Sequence, residues 1–232
     1  MKLTERKLMD LSKNILIVVS NVSELAANHP TGIWLEEFAV PYLGFKKADY
    51  DVTVASPEGG LAPIDEASIA ENTPEEWKEL KEILENTKKL DEVDYENFAV
   101  IFIPGGHGPL IDLANNNKLA EIVNHFYINN KIISAICHGI AGLLGAKKTN
   151  GDAFVKGKKL TALTNEEEKL SKKHDIVPFL LEDRLKELGA NFETANPWTS
   201  HVIIDDNLIT GQNPQSSELL TESILITLEE LE

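Results

Sequence analysis

Cys137 is the only cysteine in the chain. It cannot form an intramolecular disulfide, so its chemistry is that of a thiol. An apolar, β-branched run over residues 131–136 leads directly into Cys137-His138-Gly139. Ala135 and Gly139 lie two residues to either side. Small residues there permit a strained strand-to-helix turn that lifts a nucleophile, with alanine in place of the first glycine of the G-x-S-x-G elbow. The N-terminus of the following helix favours a thiolate. Read alone, the same pattern equally describes a small hydrophobe packed at a strand end.

Two further groups could act on a thiol. Pro104-Gly105-Gly106-His107-Gly108 follows a second apolar run. Its glycines let backbone N–H groups approach a ligand, and with the N–H of His138 they could bind an oxyanion. A tight turn explains the glycines as well, and His107 reads as an exposed loop residue. The third group is the helical stretch Trp34-Leu35-Glu36-Glu37-Phe38-Ala39-Val40-Pro41-Tyr42, apolar almost all round. At about 100° per residue, Glu36 falls on the side of Lys47 and Glu37 between Ile33, Trp34 and Pro41. Glu37 is thus the carboxyl expected to be desolvated, with a raised pKa, and a protonated carboxyl beside a thiol can serve as acid or base. A Cys-His pair also needs an acid to orient the imidazole. Glu166, Glu167 and Glu168 are candidates, although the pattern alone describes a solvated charge run at a helix start.

The elements that must carry these residues alternate. Buried strands are expected at residues 14–20, 51–55, 98–103, 131–136 and 159–163, and shorter ones at 192–194, 201–204 and 208–210, with a hairpin turn at 205–207. Helices are expected at 32–47 with Thr31 as N-cap, at 73–90, 113–127 and 177–188, and at 214–231. This alternation indicates an α/β fold with a mostly parallel sheet and helices on both faces, whose site lies beyond the carboxyl ends of the strands. No linker or internal repeat divides residues 1–232. Small lid insertions are expected near 65–77 and 165–180, with Trp77 and Trp198 as candidate lid residues.

Composition narrows the function. The charge is −16, from 22 Lys+Arg against 38 Asp+Glu. Such a surface repels phosphate backbones, so no nucleic-acid partner is expected. No apolar run approaches a membrane span, so no membrane association is expected. The start of the chain is polar and lacks a secretory apolar stretch, which with the lone cysteine points to the cytoplasm. No HExxH or paired Cys-x-x-Cys motif occurs, and no metal is expected.

Ala135-Ile136-Cys137-His138-Gly139, after Pro104-Gly105-Gly106-His107-Gly108, resembles the ThiJ/PfpI superfamily, which shares a flavodoxin-like three-layer sandwich with class I glutamine amidotransferases. Residues 31–37, 55–60, 196–198 and 208–214 resemble its heat-shock-protein-thirty-one-like branch. The resemblance implies Cys137 as nucleophile, His138 as adjacent base and Glu37 as active-site acid, four residues before Pro41. It implies Glu168 as third triad member, with Glu166 and Glu167 still open, and the N–H groups of Gly106 and His138 as oxyanion donors. It implies a glutathione-independent glyoxalase III that converts methylglyoxal, a small aldehyde, to lactate with no cofactor, in a chain that forms homodimers in some relatives. The same residues also suit a deglycase, amidase or peptidase, and the branch includes stress-response holdases and redox sensors. Glutamine amidotransfer normally places its histidine well downstream of the cysteine, unlike His138.

Overall fold

The computed structural model describes residues 13–231. The polar start of the chain, from which no secretory stretch is expected, falls mostly in residues 1–12, outside the described residues. Eleven strands follow in chain order among the described residues: β1 (Asn14–Val18), β2 (Glu24–Ala26), β3 (His29–Pro30), β4 (Asp51–Ser56), β5 (Lys88–Lys89), β6 (Val100–Ile103), β7 (Ile132–Ile136), β8 (Lys159–Leu160), β9 (Asn191–Phe192), β10 (Val202–Asp205) and β11 (Leu208–Gly211). Seven form the main sheet in the order β10-β11-β7-β6-β1-β4-β5. All neighbours are parallel except the β10–β11 hairpin, which turns at Asp206 with φ +56°. β1 extends to β4 and β5 on one side, whereas β6, β7 and β11 build the other. The order therefore reverses between β1 and β6, where an open α/β sheet leaves a crevice at its strand ends.

The strands are apolar throughout because both faces are covered. Leu16, Val18, Ile101, Ile103 and Ile133 point to one face, against Leu119, Ile122 and Phe126 of the helix Asn117–Ile128. Ile15, Ile17, Val100 and Phe102 point to the other, against the helices Leu35–Lys47 (α1) and Ser217–Leu231. Alternation along a strand sends successive side chains to opposite layers, which yields the expected flavodoxin-like three-layer sandwich. Among the described residues no helix is long and apolar enough to cross a membrane.

Three local expectations are corrected. α1 begins at Leu35 rather than Gly32, because the preceding residues are held in a loop: Ile33 N–H donates to the Pro63 carbonyl and Thr31 Oγ1 to Asp65 Oδ2. The helix expected over 73–90 is two short pieces, Glu75–Glu79 and Lys81–Glu85, that stop before β5. Thr87 pairs with the Gly60 backbone in both directions and its hydroxyl lies 2.6 Å from that of Ser56, so sheet-edge pairing ends the helical turn. The strand expected over 159–163 is only two residues long and pairs with β9 outside the main sheet.

Candidate active site

The carboxyl end of β7 passes into a 3₁₀ helix, Cys137–Leu143. Cys137 itself has φ +57°, a left-handed conformation that costs a non-glycine residue of order 1–2 kcal/mol. The turn leaves no room for a side chain at Gly139, where a Cβ would fall 2.2 Å from the Ile103 carbonyl oxygen. The elbow expected from Ala135 and Gly139 is therefore present, and its strain sits on the thiol-bearing residue.

The end of β6 supplies the second wall. Gly105 N–H donates to Glu37 Oε2 at 3.0 Å. A Cβ on Gly105 would lie 2.5 Å from that oxygen, 2.9 Å from Cys137 Cβ and 3.0 Å from His138 N. Glycine is thus required for the loop to bring Glu37, Cys137 and the His138 amide together. Glu37 is fully buried, as the helical wheel implied, whereas Glu36 is half-buried. Burial pushes the Glu37 carboxyl up to about 8, against hydrogen bonding from Cys137 and Gly105 that pulls it down. Its second oxygen, Oε1, has no partner of ordinary hydrogen-bond geometry. Burial and then Glu37 also push the thiol well up, while the His138 N–H works to lower it. This reverses the thiolate expected from a helix N-terminus: enclosure outweighs the short 3₁₀ turn.

A proton-holding chain runs from the thiol. Cys137 Sγ lies 3.6 Å from His138 Nδ1, and His138 Nε2 lies 2.5 Å from Glu168 Oε2. Burial works to raise Glu168, but the imidazoles beside it, His138 first, hold it well below the usual carboxylate range. An ionised carboxylate only accepts hydrogen bonds. His138 therefore donates to Glu168 through Nε2 and turns Nδ1 towards the thiol.

The three neighbouring glutamates separate sharply. Glu166 is exposed, and Glu168 is buried and meets the imidazole. Glu167 is fully buried and points elsewhere. Its Oε2 accepts from Thr164 N and Thr164 Oγ1, and its Oε1 from Trp198 N, Gln212 Nε2 and Asn213 Nδ2, all at 2.8–3.1 Å. Thr164 and Glu167 form a capping box on the helix Asn165–Leu170. The solvated charge run read from the pattern is thus incorrect, because the cap turns two of the three carboxylates inward. The helix end also meets the other segment expected as an insertion, through Lys173 Nζ 3.7 Å from Asp65 Oδ2. Of the two tryptophans, Trp77 packs partly buried against the core and Trp198 is 39% exposed.

His107 corrects the sequence reading. It is buried, not exposed, and its Nε2–H donates to Glu168 Oε1 at 2.9 Å. Its ring lies 4.2 Å from that of His138. The signal available was its place between glycines at a strand end, but periodicity cannot show that a loop folds inward. One ligand-type atom each from His107, His138 and Glu168 lies within 4.8 Å of the others. This is the one such metal-capable grouping among the described residues. Its atoms are already joined by the imidazole protons, so as it stands the cluster is a proton network.

Glu37 also sets a stability prediction. Its carboxyl titrates near 8 in the fold against an ordinary 4.5. The native state keeps this proton where the unfolded chain releases it. The associated stability is complete below pH 4.5 and is lost as pH rises towards 8, by up to about 1.4 kcal/mol per pH unit. Glu37→Gln is expected to remove that dependence. The melting-temperature gap between variant and wild type should grow in the variant's favour from pH 5 to pH 8. A constant gap would show that Glu37 is not protonated in the native state.

The DJ-1/PfpI family matches residues 31–227. "Glyoxalase 3" of Candida albicans is 29% identical over 214 residues, which are 86% of this chain and 90% of the relative. The crystal structure of glyoxalase III from Candida albicans superposes with a TM-score of 0.81 at 25% identity, covering 93% of this chain and 97% of that one. The Rapid Encystment Protein of Francisella tularensis superposes with a TM-score of 0.89 at 36% identity, covering 93% and 99%. With its elbow cysteine, its buried helical glutamate and these similarities over most of its length, the chain belongs to the DJ-1/PfpI family, in the glyoxalase III/HSP31-like branch.

Proposed function

We propose that the protein is a glutathione-independent glyoxalase III that converts methylglyoxal and water to lactate. The observation that carries this reading is the chain Glu168–His138–Cys137 with the buried Glu37 carboxyl against the same thiol. The likeness to "Glyoxalase 3" agrees with it.

The aldehyde carbon of methylglyoxal takes the Cys137 sulfur as His138 Nδ1 accepts the thiol proton and passes it to the aldehyde oxygen. A C–S bond forms and a hemithioacetal results. The N–H groups of Gly106 and His138 hold the developing oxyanion. His138 then removes the proton on the first carbon, while the protonated Glu37 carboxyl donates to the ketone oxygen. The product is an enediol. Return of the His138 proton to the second carbon, with loss of the first hydroxyl proton to Glu37, gives a lactoyl thioester. Water cleaves it to lactate and free thiol. The sequence is an internal redox exchange between adjacent carbons, so no external oxidant or organic cofactor enters. A Glu37 protonated up to about 8 is in its acid form throughout the neutral range.

The test is incubation with methylglyoxal in the absence of glutathione, following both aldehyde loss and lactate. Wild type is expected to make lactate in amounts far above the enzyme present. Glu37→Gln keeps the size of the side chain without the acid, and should lose roughly 10²–10⁴-fold in turnover. Aldehyde loss with no lactate would identify mere thiol modification and refute the reading.

A further inference from the structure

Thioester hydrolysis needs a base for water, and a second imidazole lying beside the triad histidine has a ring nitrogen without a partner. We infer that His107 is that base: a second catalytic histidine, sharing Glu168 with His138, whose Nδ1 binds and deprotonates the water that releases lactate. This inference rests on the thioester route proposed above.

Three observations meet at this residue. Glu168 spends one oxygen on each histidine, Oε1 on His107 at 2.9 Å and Oε2 on His138 at 2.5 Å. The two rings lie 4.2 Å apart with 40° between their planes. Both direct Nε2 to the same carboxylate, so both present Nδ1 away from it, and on His138 that atom faces Sγ. The second observation is that His107 Nδ1 is buried with no hydrogen-bond partner. A buried polar atom left unpaired costs about 1–3 kcal/mol, and such orphans ask for a ligand. The third is position: His107 follows Gly106, whose N–H is the proposed oxyanion donor, so an acyl group held there lies beside the loop that carries the imidazole.

The protonation state fits the task. Burial and the neighbouring His138 lower His107 to about 4, against the pull of Glu168. With Nε2–H given to the ionised Glu168, the Nδ1 lone pair is free across the neutral range. In the step itself, water gives a proton to Nδ1 and its oxygen bonds to the acyl carbon. The tetrahedral intermediate collapses, the C–S bond breaks, and the sulfur leaves as thiolate. The proton on His107 Nδ1 then passes through solvent water to the sulfur, which restores the thiol and the neutral imidazole.

The test is His107→Gln, whose amide N–H can still donate to Glu168 while the base is gone. With methylglyoxal it should consume about one equivalent per enzyme. It should then carry an added mass of one methylglyoxal that survives acid quenching, as a thioester does and a hemithioacetal does not. Steady lactate production should fall roughly 10²-fold or more. Hydroxylamine, a nucleophile that needs no base, should discharge the adduct and restore turnover as the hydroxamate. His107→Asn lacks the base too and should accumulate the same adduct, so the assignment stays testable if the glutamine variant folds poorly. Unchanged lactate formation in a folded variant would overturn this assignment alone. Loss of both aldehyde consumption and adduct would also overturn it, because His107 would then only position Glu168. A wild type that makes no lactate would overturn the glyoxalase reading and this assignment with it.

Discussion

Cys137→Ala is expected to abolish lactate formation from methylglyoxal, by at least about 10³-fold, as nucleophile removal does in enzymes with covalent intermediates. The loss should be this large because every intermediate of the proposed route is bound to the sulfur. His138 and Glu168 would remain in place, but with no thiol to activate they have nothing to deprotonate. The fold should survive, since only Sγ is removed and alanine meets the same backbone restriction at φ +57° that cysteine does. Thermal melting within about 1 kcal/mol of wild type would check that point. Lactate production by the alanine variant at about a tenth of the wild-type rate or more would exclude a cysteine-bound intermediate, and with it the route through Glu37 and His107.

Glu167→Ala is expected to be the most destabilising single change in the site, on the order of 4 kcal/mol or more. The carboxylate takes five hydrogen bonds from four residues: Thr164, Trp198, Gln212 and Asn213. Alanine would remove the acceptor of all five bonds; Gln212 Nε2 and Asn213 Nδ2 would keep only the Ala195 and Thr199 carbonyls. Each buried donor left short costs about 1–3 kcal/mol, and a cavity would open as well. Because the capping box starts the helix that carries Glu168, the triad acid should lose its placement together with the stability. Glu166→Ala is the control, one residue away on the exposed side, and should stay within about 0.5 kcal/mol of wild type. Denaturant midpoints of the two variants measure the contrast. Equal midpoints would mean that the buried carboxylate contributes no more than a surface charge.

Much of this protein is decided by local sequence. Short β-branched runs at residues 14–18, 100–103 and 132–136 are buried on both faces because alternate side chains serve two layers, so their apolar continuity alone implies a covered parallel sheet. Cys137 stands out because a thiol flanked by small residues at a strand end is a local pattern. Glu37 stands out because two carboxyls on an apolar helix differ by 100°, and one must be enclosed. These are properties of neighbours along the chain.

The rest depended on segments far apart in sequence. The choice among Glu166, Glu167 and Glu168 rests on a turn closed by Thr164 and on donors from residues 198, 212 and 213, which no periodicity links to residue 167. His107 reads as solvent-facing because its glycines are loop formers. Only the return of Glu168, 61 residues later, shows that the loop folds onto a buried anion. The break after residue 85 has the same origin, since hydrogen bonds from Gly60 and Ser56 outweigh the helical preference of a charged amphipathic stretch. Burial of a polar group is set by what comes to meet it, and the protonation states of Cys137, Glu37 and His107 follow from that burial. The residue types of the candidate site are therefore written in the sequence, whereas the partners and charges around them exist only in the folded chain.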